Sequence, residues 1–336
     1  MITIKEIAEQ LGVSPTTVSN VINGKTNRMS PKTRQRVEEA LVFNHYVSEE
    51  KSDAGDSEPK FITMNFFMGD REHILTDPFC GELLEAVEKK LRQYNRCVVC
   101  NVVLEEERIL KLLSARNIEG GIVLGYPPEK CSSLQKRSLK PLIFVDSGEG
   151  DYDNIGLQDY MGACEITNYL IQQGHRRIAF FCDEKEPLAS NAERYRGFLR
   201  AMEQASLLFH KEDYYYLPFE KNLRYEILRQ FATKVREERY TAAMFSYDLL
   251  ANEAITTLFS QGVVIPEQLS VVGFDDNIYA RLSRPALTTV RQSPTEKGNE
   301  AVKLLMKRIY GEEVLVHCLQ LPTELIVRES VKNVVK

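Results

Sequence analysis

Apolar positions along this chain repeat with two different periods, and the change falls near residue 60. In the first stretch Ile4, Ile7, Ala8 and Leu11 recur at helical spacing until Gly12 stops the run. Thr3, with Glu6 three positions later, forms a capping-box signature at its start. Ser14 and Pro15 open a second helical pattern: serine can cap the free N–H groups, and proline at the first position loses nothing by lacking its own. Val18, Val21 and Ile22 form its inner face, and Gly24 is placed to end it. Ser30 and Pro31 repeat the device ahead of Val37, Ala40 and Leu41. The spacing predicts three short helices packed on one another.

From Phe61 the β-type runs FITMNFF, CVVCNVV, GGIVLG and PLIFVD alternate with helical patterns over 79–94 and 105–115. A second series follows Asp159: helical patterns over 162–173, 194–204, 223–237 and 250–261 alternate with RRIAFF, YYYLPF, TAAMFS and LSVVGF. Strictly alternating strands and helices predict parallel, doubly wound sheets, here two α/β units in tandem. The fold class is therefore α/β, a three-helix headpiece followed by a two-lobed core. Between them VSEEKSDAGDSEPK, rich in Ser, Gly and acids and ending near Pro59, reads as a domain boundary.

A chain of 336 residues exceeds one compact core, and 43% hydrophobic with 27% charged residues is an ordinary globular balance. No apolar run approaches the roughly 18 residues of a membrane span, and the charges at Lys5, Glu6 and Glu9 exclude a secretory signal, so a cytosolic protein is expected. Charge is unevenly placed. Residues 1–46 hold six cations (Lys5, Lys25, Arg28, Lys32, Arg34, Arg36) against four glutamates, net +2, whereas the whole chain carries −5. No acid stands between Glu9 and Glu38, so this stretch, Lys25 and Arg28 included, is free to meet phosphates. Seven scattered cysteines form no disulfide framework and are expected to be ordinary buried thiols. Cys97 and Cys100 form a CxxC within a strand-like run and lack the second pair of a zinc site, so neither metal nor cofactor is expected.

Two helices joined by a tight Gly-containing turn, the second beginning Ser-Pro-Thr-Thr, form a helix-turn-helix whose second helix enters the major groove. With its valines and Ile22 inward, Thr16, Thr17, Ser19, Asn20 and Asn23 remain to face double-stranded DNA. Asparagine matches the N6/N7 edge of adenine, and Ser or Thr can reach base or phosphate. In the core, Asp146, Asp248 and Asp275 follow strand-like runs and Arg194 opens a helix, all at the crevice end where such sheets bind ligands. Asp275 and Asp276 also suit a turn cap, Asp248 a helix N-cap and Arg194 a surface ion pair; Asp146 and His175 read as structural. No Ser/His/Asp spacing, phosphate loop or dinucleotide fingerprint points to an enzyme, although paired crevice carboxylates would be the parts of a carbohydrate-processing one.

TIKEIAEQLGVSPTTVSNVINGK with SPKTRQRVEEAL resembles the headpiece of the lactose-repressor (LacI/GalR) family, and GHRRIAF, VGFDD and PALTTV resemble its regulatory core, itself similar to periplasmic sugar-binding proteins. The resemblance implies a helix-turn-helix domain over 1–48, a linker over 49–60, one lobe from 61–160 with 291–321, and the other from 161–290 with 322–336. It implies a repressor, acting as a homodimer, that answers a small molecule between the lobes, a sugar foremost and a nucleobase-like compound next; a core answering a protein partner is the nearer rival. By the same resemblance Pro15, Thr16 and Asn20 read bases while Thr17, Ser19 and Asn23 hold the backbone. Arg194 and Asp275 match the main polar effector contacts, followed by Asp248 and Ser190, with Phe79 and Phe219 as apolar faces. Two departures stand out. The family's usual Arg is replaced by Asn20, which moves the expected base from guanine toward adenine. Residues 49–58 hold five acids and one Lys where a basic hinge helix with a wedge Leu is usual, so kinking of the operator is not expected.

Overall fold

The computed structural model describes residues 3–22, 29–43, 59–67, 74–103, 105–312 and 315–335. The chain divides into two units, Met1–Ser57 and Glu58–Lys336.

In the first unit α1 (Ile4–Leu11), α2 (Pro15–Ile22) and α3 (Pro31–Phe43) enclose Ile7, Ala8, Val18, Val21 and Val37. The caps form as their chemistry requires. Thr3 and Glu6 bond reciprocally, and Gly12 closes α1 in the left-handed region at φ 64°. Ser14 Oγ accepts from Thr17 N at 3.1 Å, and Ser30 Oγ accepts from Thr33 N at the same distance. Arg36 donates to the Leu11 carbonyl at 3.0 Å and Arg34 pairs with Glu38, so two of the cations counted toward phosphate are spent on helix ends and faces. Gly24 and the linker over 49–58 lie outside the described residues.

The second unit begins with β1 (Lys60–Phe67), α4 (Pro78–Arg92), β2 (Arg96–Val103), α5 (Glu106–Leu113), β3 (Ile118–Leu124), α6 (Pro128–Arg137), β4 (Leu142–Val145) and β5 (Asn154–Leu157). There follow α7 (Asp159–Gln172), β6 (Ile178–Cys182), α8 (Ala189–Gln204), β7 (Tyr214–Tyr216), α9 (Lys221–Arg236), β8 (Ala242–Phe245), α10 (Asp248–Ser260), β9 (Ser270–Val272) and α11 (Ile278–Leu282). The chain then returns through β10 (Thr289–Arg291), α12 (Pro294–Ile309), β11 (Cys318–Leu321) and β12 (Glu324–Ile326).

Two parallel sheets result, ordered β11-β5-β4-β3-β1-β2 and β7-β6-β8-β9. Helices cover both faces, so β4, β6 and β8 are buried along their whole lengths, which is why they read as unbroken apolar runs. The short antiparallel pair β10-β12 joins the lobes where the chain crosses between them. The last residues return to the second lobe: Val271 N bonds the Ser330 carbonyl and Val334 N the Gln173 carbonyl, both within 2.9 Å.

Several expectations are corrected. Arg194 does not open its helix but sits inside α8, which begins at Ala189, because the loop before it is shorter than its polar composition implied. Asp248 is not an N-cap: Tyr247 holds that position, and the Asp248 carboxylate turns away into the core. Asn277, rather than Asp275 or Asp276, caps the next helix, α11. His175, read as structural, follows the turn at Gly174 and is buried between Thr241 Oγ1, at 2.9 Å, and the Lys332 carbonyl, at 3.2 Å. Only Cys80, Cys131 and Cys182 are buried thiols; Cys97, Cys100 and Cys318 are exposed, two of them because β2 is an edge strand. Among the described residues no cysteine, histidine or acid cluster is arranged to hold a metal, and no helix is long and apolar enough to cross a membrane.

Candidate functional site

On the headpiece, α2 exposes Pro15 and Thr16, with Thr17, Ser19 and Asn20 half-buried beside them. Burial of Val18 and Val21 on the opposite side fixes which residues face outward, since α2 completes barely two turns. Thr17 is drawn into the cap, its hydroxyl 2.9 Å from Ser14 Oγ. Asn23, Lys25 and Arg28 lie outside the described residues.

In the core the polar residues converge where strands end at the crevice. Arg194 is almost wholly buried, with 6% of its surface accessible, and stacks its guanidinium on Phe274, 3.8 Å from the ring centre. Its Nε donates to Asp159 at 2.8 Å and its Nη1 to the Ser246 carbonyl at 2.7 Å; Asp275 Oδ1 stands 3.6 Å from Nη1. Burial works against this cation, but Asp159 and Asp275 outweigh it and hold its pKa above the ordinary value. The expected surface ion pair is therefore a buried one, whose disruption would leave a charge stranded.

Asp275 occupies a positive-φ position, 118°, immediately after the β9 run. Gln292 Nε2 donates to its Oδ1 at 2.5 Å. Burial, with the nearby Asp77 carboxylate, pushes its pKa up to about 7 against the pull of Arg194, Gln292 and Lys297. Asp248 lies one layer deeper, accepting from Thr289 Oγ1 at 2.6 Å and Asn277 N at 3.0 Å, and burial beside Asp275 raises its pKa well above the usual carboxylate range. Gly273 makes that position possible, because a Cβ there would fall on Asp248 Oδ1. Asp248 thus braces the Asp275 loop, a role its place at a strand end did not reveal.

The first lobe contributes Phe79, in the opening turn of α4, and two groups the sequence reading left aside. Asp146, set down as structural, receives both carboxylate bonds from Lys297 Nζ, at 2.6 and 2.7 Å. Lys297 itself is fully buried, bonds Gln292 Oε1 at 2.7 Å, and lies 5.0 Å from the centre of the Phe79 ring. A continuous polar chain therefore runs Asp146–Lys297–Gln292–Asp275–Arg194–Asp159, linking residues of both lobes. The signal for Lys297 was present: it shares a helical stripe with Ala301, Leu304 and Leu305, all buried, and so could not be a surface lysine. Ser190 lies one turn before Arg194 on the same face of α8. Phe219 is half-buried after β7, and its described partner is the Arg224 guanidinium, 5.6 Å from the ring, rather than this cluster. Two surface grooves, of about 340 Å³ beside α12 and about 510 Å³ along α8, contain none of these residues.

Comparison with known proteins agrees with this architecture. Residues 3–49 match the model of bacterial regulatory proteins of the lacI family, and residues 167–331 match a periplasmic binding protein-like domain. The chain is 31% identical over 345 residues to the HTH-type transcriptional repressor PurR of Haemophilus influenzae strain PittEE, covering 99% of this chain and all of that one. It is 29% identical over 343 residues to the repressor of the same name from Mannheimia succiniciproducens, with 99% and 100% covered. Among solved structures, the regulator CelR in complex with cellobiose superposes with a TM-score of 0.71 at 25% identity, covering 98% of this chain and 100% of that one. The lac repressor dimer bound to operator and an anti-inducer gives the same score at 22%, with 98% and 99% covered, a likeness of fold.

Headpiece and crevice together define a DNA-binding regulator built on a periplasmic-binding-protein-like core. Its full-length similarity to named repressors places it more closely. The chain belongs to the lacI family of bacterial regulatory proteins, and it is a ligand-responsive transcriptional repressor rather than an enzyme.

Proposed function

We propose that this repressor binds its operator as a homodimer in the cytosol and is controlled by a small polar molecule, a sugar foremost, held between the two lobes. The carrying observation is the buried pair Arg194 and Asp275. Arg194 uses Nε and Nη1 on the protein, leaving the donors of Nη2, while Asp275 receives Gln292 on Oδ1, leaving the acceptor Oδ2. A donor and an acceptor side by side fit a hydroxyl pair of a sugar, and equally one edge of a nucleobase. The cellobiose complex of CelR and the ribose complex of an Enterococcus faecium regulator, the latter at 23% identity and TM-score 0.68, support the sugar. Phe79 supplies an apolar face, Ser190 a flanking hydroxyl and Asp248 the brace of the Asp275 loop, while Phe219, packed on Arg224, would add an apolar wall only from the periphery of the second lobe.

On DNA, Pro15, Thr16 and Asn20 face the bases, with Thr17, Ser19, Asn23, Lys25 and Arg28 on the backbone. A helix-turn-helix covers half a site, so two copies are required. Phe259 on α10 and Leu282 on α11, 75% and 63% exposed, offer apolar surface for that pairing. The domain organisation is taken as a headpiece over 1–48, a linker over 49–60, and lobes over 61–160 with 291–321 and 161–290 with 322–336.

Calorimetry of the full chain against sugars and nucleobases tests the reading. A hit should weaken about tenfold or more in Asp275→Asn, the loss of a charged hydrogen bond, and should change affinity for operator selected from a random DNA library. Silence across the panel would favour a protein partner instead.

A further inference from the structure

A glutamine side chain can be turned end for end with little change of shape, and the neighbours of Gln292 remove that freedom. Its carboxamide oxygen only accepts and its nitrogen only donates. The oxygen accepts from Lys297 Nζ at 2.7 Å, and the nitrogen donates to Asp275 Oδ1 at 2.5 Å. An ammonium only donates and an ionised carboxylate only accepts, so the reversed amide would set donor against donor at one end and acceptor against acceptor at the other. Lys297 is held in turn. It is fully buried, and its other two N–H groups go to Asp146 Oδ1 and Oδ2 at 2.6 and 2.7 Å. Asp146 and Asp275, at the two ends of this run, both sit at positive φ, 54° and 118°, conformations that cost energy and persist where the surroundings fix them.

We propose that Lys297 is a positioning residue of the sensor: it locks the Gln292 carboxamide with its nitrogen toward Asp275, and so sets how that carboxylate is presented to an effector. Gln292 and Arg194 both address Oδ1, the amide at bonding distance and Arg194 Nη1 at 3.6 Å. The amide therefore keeps Oδ1 on the guanidinium side, and Oδ2 is the oxygen left over. Without the ammonium, the oxygen end of Gln292 loses the partner that fixes it. The reversed amide then brings Oε1 against Asp275 Oδ1, and repulsion between two acceptors in a buried site displaces the carboxylate. Lys297 forms no ion pair with Asp275 itself; its bonds are to Asp146 and Gln292. The two charges also attract through space, an effect the experiment separates from the lock. The effector half of the proposal rests on the crevice reading given above, whereas the amide lock does not.

The test follows the glutamine side-chain amides of the full-length protein by nuclear magnetic resonance. It is run at pH 8, above the value of about 7 to which burial pushes Asp275, so that the carboxylate is ionised. The Gln292 signal is identified by its loss in Gln292→Leu; a proton donated to a carboxylate should lie downfield and exchange slowly. Lys297→Met should move that signal upfield and speed its exchange. Asp146→Asn, which removes the anchor of the ammonium and buries nothing new, should move it the same way by less, and decides the matter if Lys297→Met does not fold. Calorimetry against glucose, ribose, cellobiose, adenine and guanine reads the consequence. For whichever binds, Lys297→Met should weaken affinity about fivefold, the size of one hydrogen bond. In a Gln292→Leu background the same substitution should cost nothing further. A loss that persists in that background would show the charge acting through space, and an unmoved amide signal would show a merely structural lysine; either overturns the proposal while the sensor reading stands. Binding by none of the probes overturns the effector half together with the proposed function, and the amide signal then decides the lock by itself.

Discussion

Substituting Gly197 sets two opposing effects of known size against each other. It lies in α8 where that helix crosses α7. A Cβ at this position would come 2.9 Å from Ala163 Cβ and 3.1 Å from Cys164 N, and closer still to the Tyr160 carbonyl oxygen. Carbon atoms in contact prefer about 3.5–4.0 Å, so the two helices would have to part by about 1 Å. Overpacking of that kind destabilises by about 1–3 kcal/mol. Alanine is also the better helix former, by about 1 kcal/mol, which partly offsets the loss. Because the nearest obstacle is backbone and cannot swing aside, the overpacking falls in the upper part of that range, about 2–3 kcal/mol, and Gly197→Ala should lower stability by about 1–2 kcal/mol net, read as a lower urea midpoint at unchanged slope. The same seam carries the Arg194–Asp159 pair, Arg194 lying one turn before Gly197 and Asp159 at the first residue of α7. Parting the helices stretches a 2.8 Å ion pair, so effector affinity should fall together with stability. A variant as stable as wild type, or more stable, would show that helix propensity wins and that the α7–α8 seam has slack.

Three further outcomes follow. Burial holds the His175 pKa down at about 4, below its ordinary 6.5, so the imidazole is neutral in the folded protein. Its contribution is complete above pH 6.5 and is lost as pH falls toward 4, because the unfolded chain takes the proton first; the gap amounts to about 3 kcal/mol. Urea midpoints of wild type and His175→Asn, compared between pH 8 and 4.5, should converge as pH drops, and a constant difference would count against this account. Thr3→Ala removes the bonds of Thr3 Oγ1 from the α1 capping box, leaving the backbone N–H to Glu6 in place, and should destabilise by about 1 kcal/mol, with Thr3→Ser nearly neutral in the same melt. Asn20→Arg should move the half-site chosen from a random DNA library from adenine to guanine at one position, whereas an unchanged site would place Asn20 away from the bases.

Local rules were legible where the chain acts on itself over a few residues. Thr3 with Glu6, Ser14 with Thr17, and Ser30 with Thr33 all bond across three positions, so the caps and the headpiece helices could be read from spacing alone. The alternation of buried strands with helices likewise announced two parallel sheets. Arg194 and Asp275 were reached through resemblance; residue chemistry by itself left each an ordinary surface reading. Cys97 and Cys100 were misjudged as buried because an edge strand and a central strand share the same apolar composition, and only pairing distinguishes them.

What the sequence determined unaided is the architecture: a capped helix-turn-helix ahead of a doubly wound core, because capping and hydrophobic periodicity are local and additive. What tertiary structure alone decided is the chemistry of the crevice. Asp146 meets Lys297 across 151 positions, and Asp159 meets Arg194 across 35. Whether a lysine is a solvated surface group or a buried counter-ion depends on which carboxylate the fold carries to it, and short-range spacing cannot supply that neighbour.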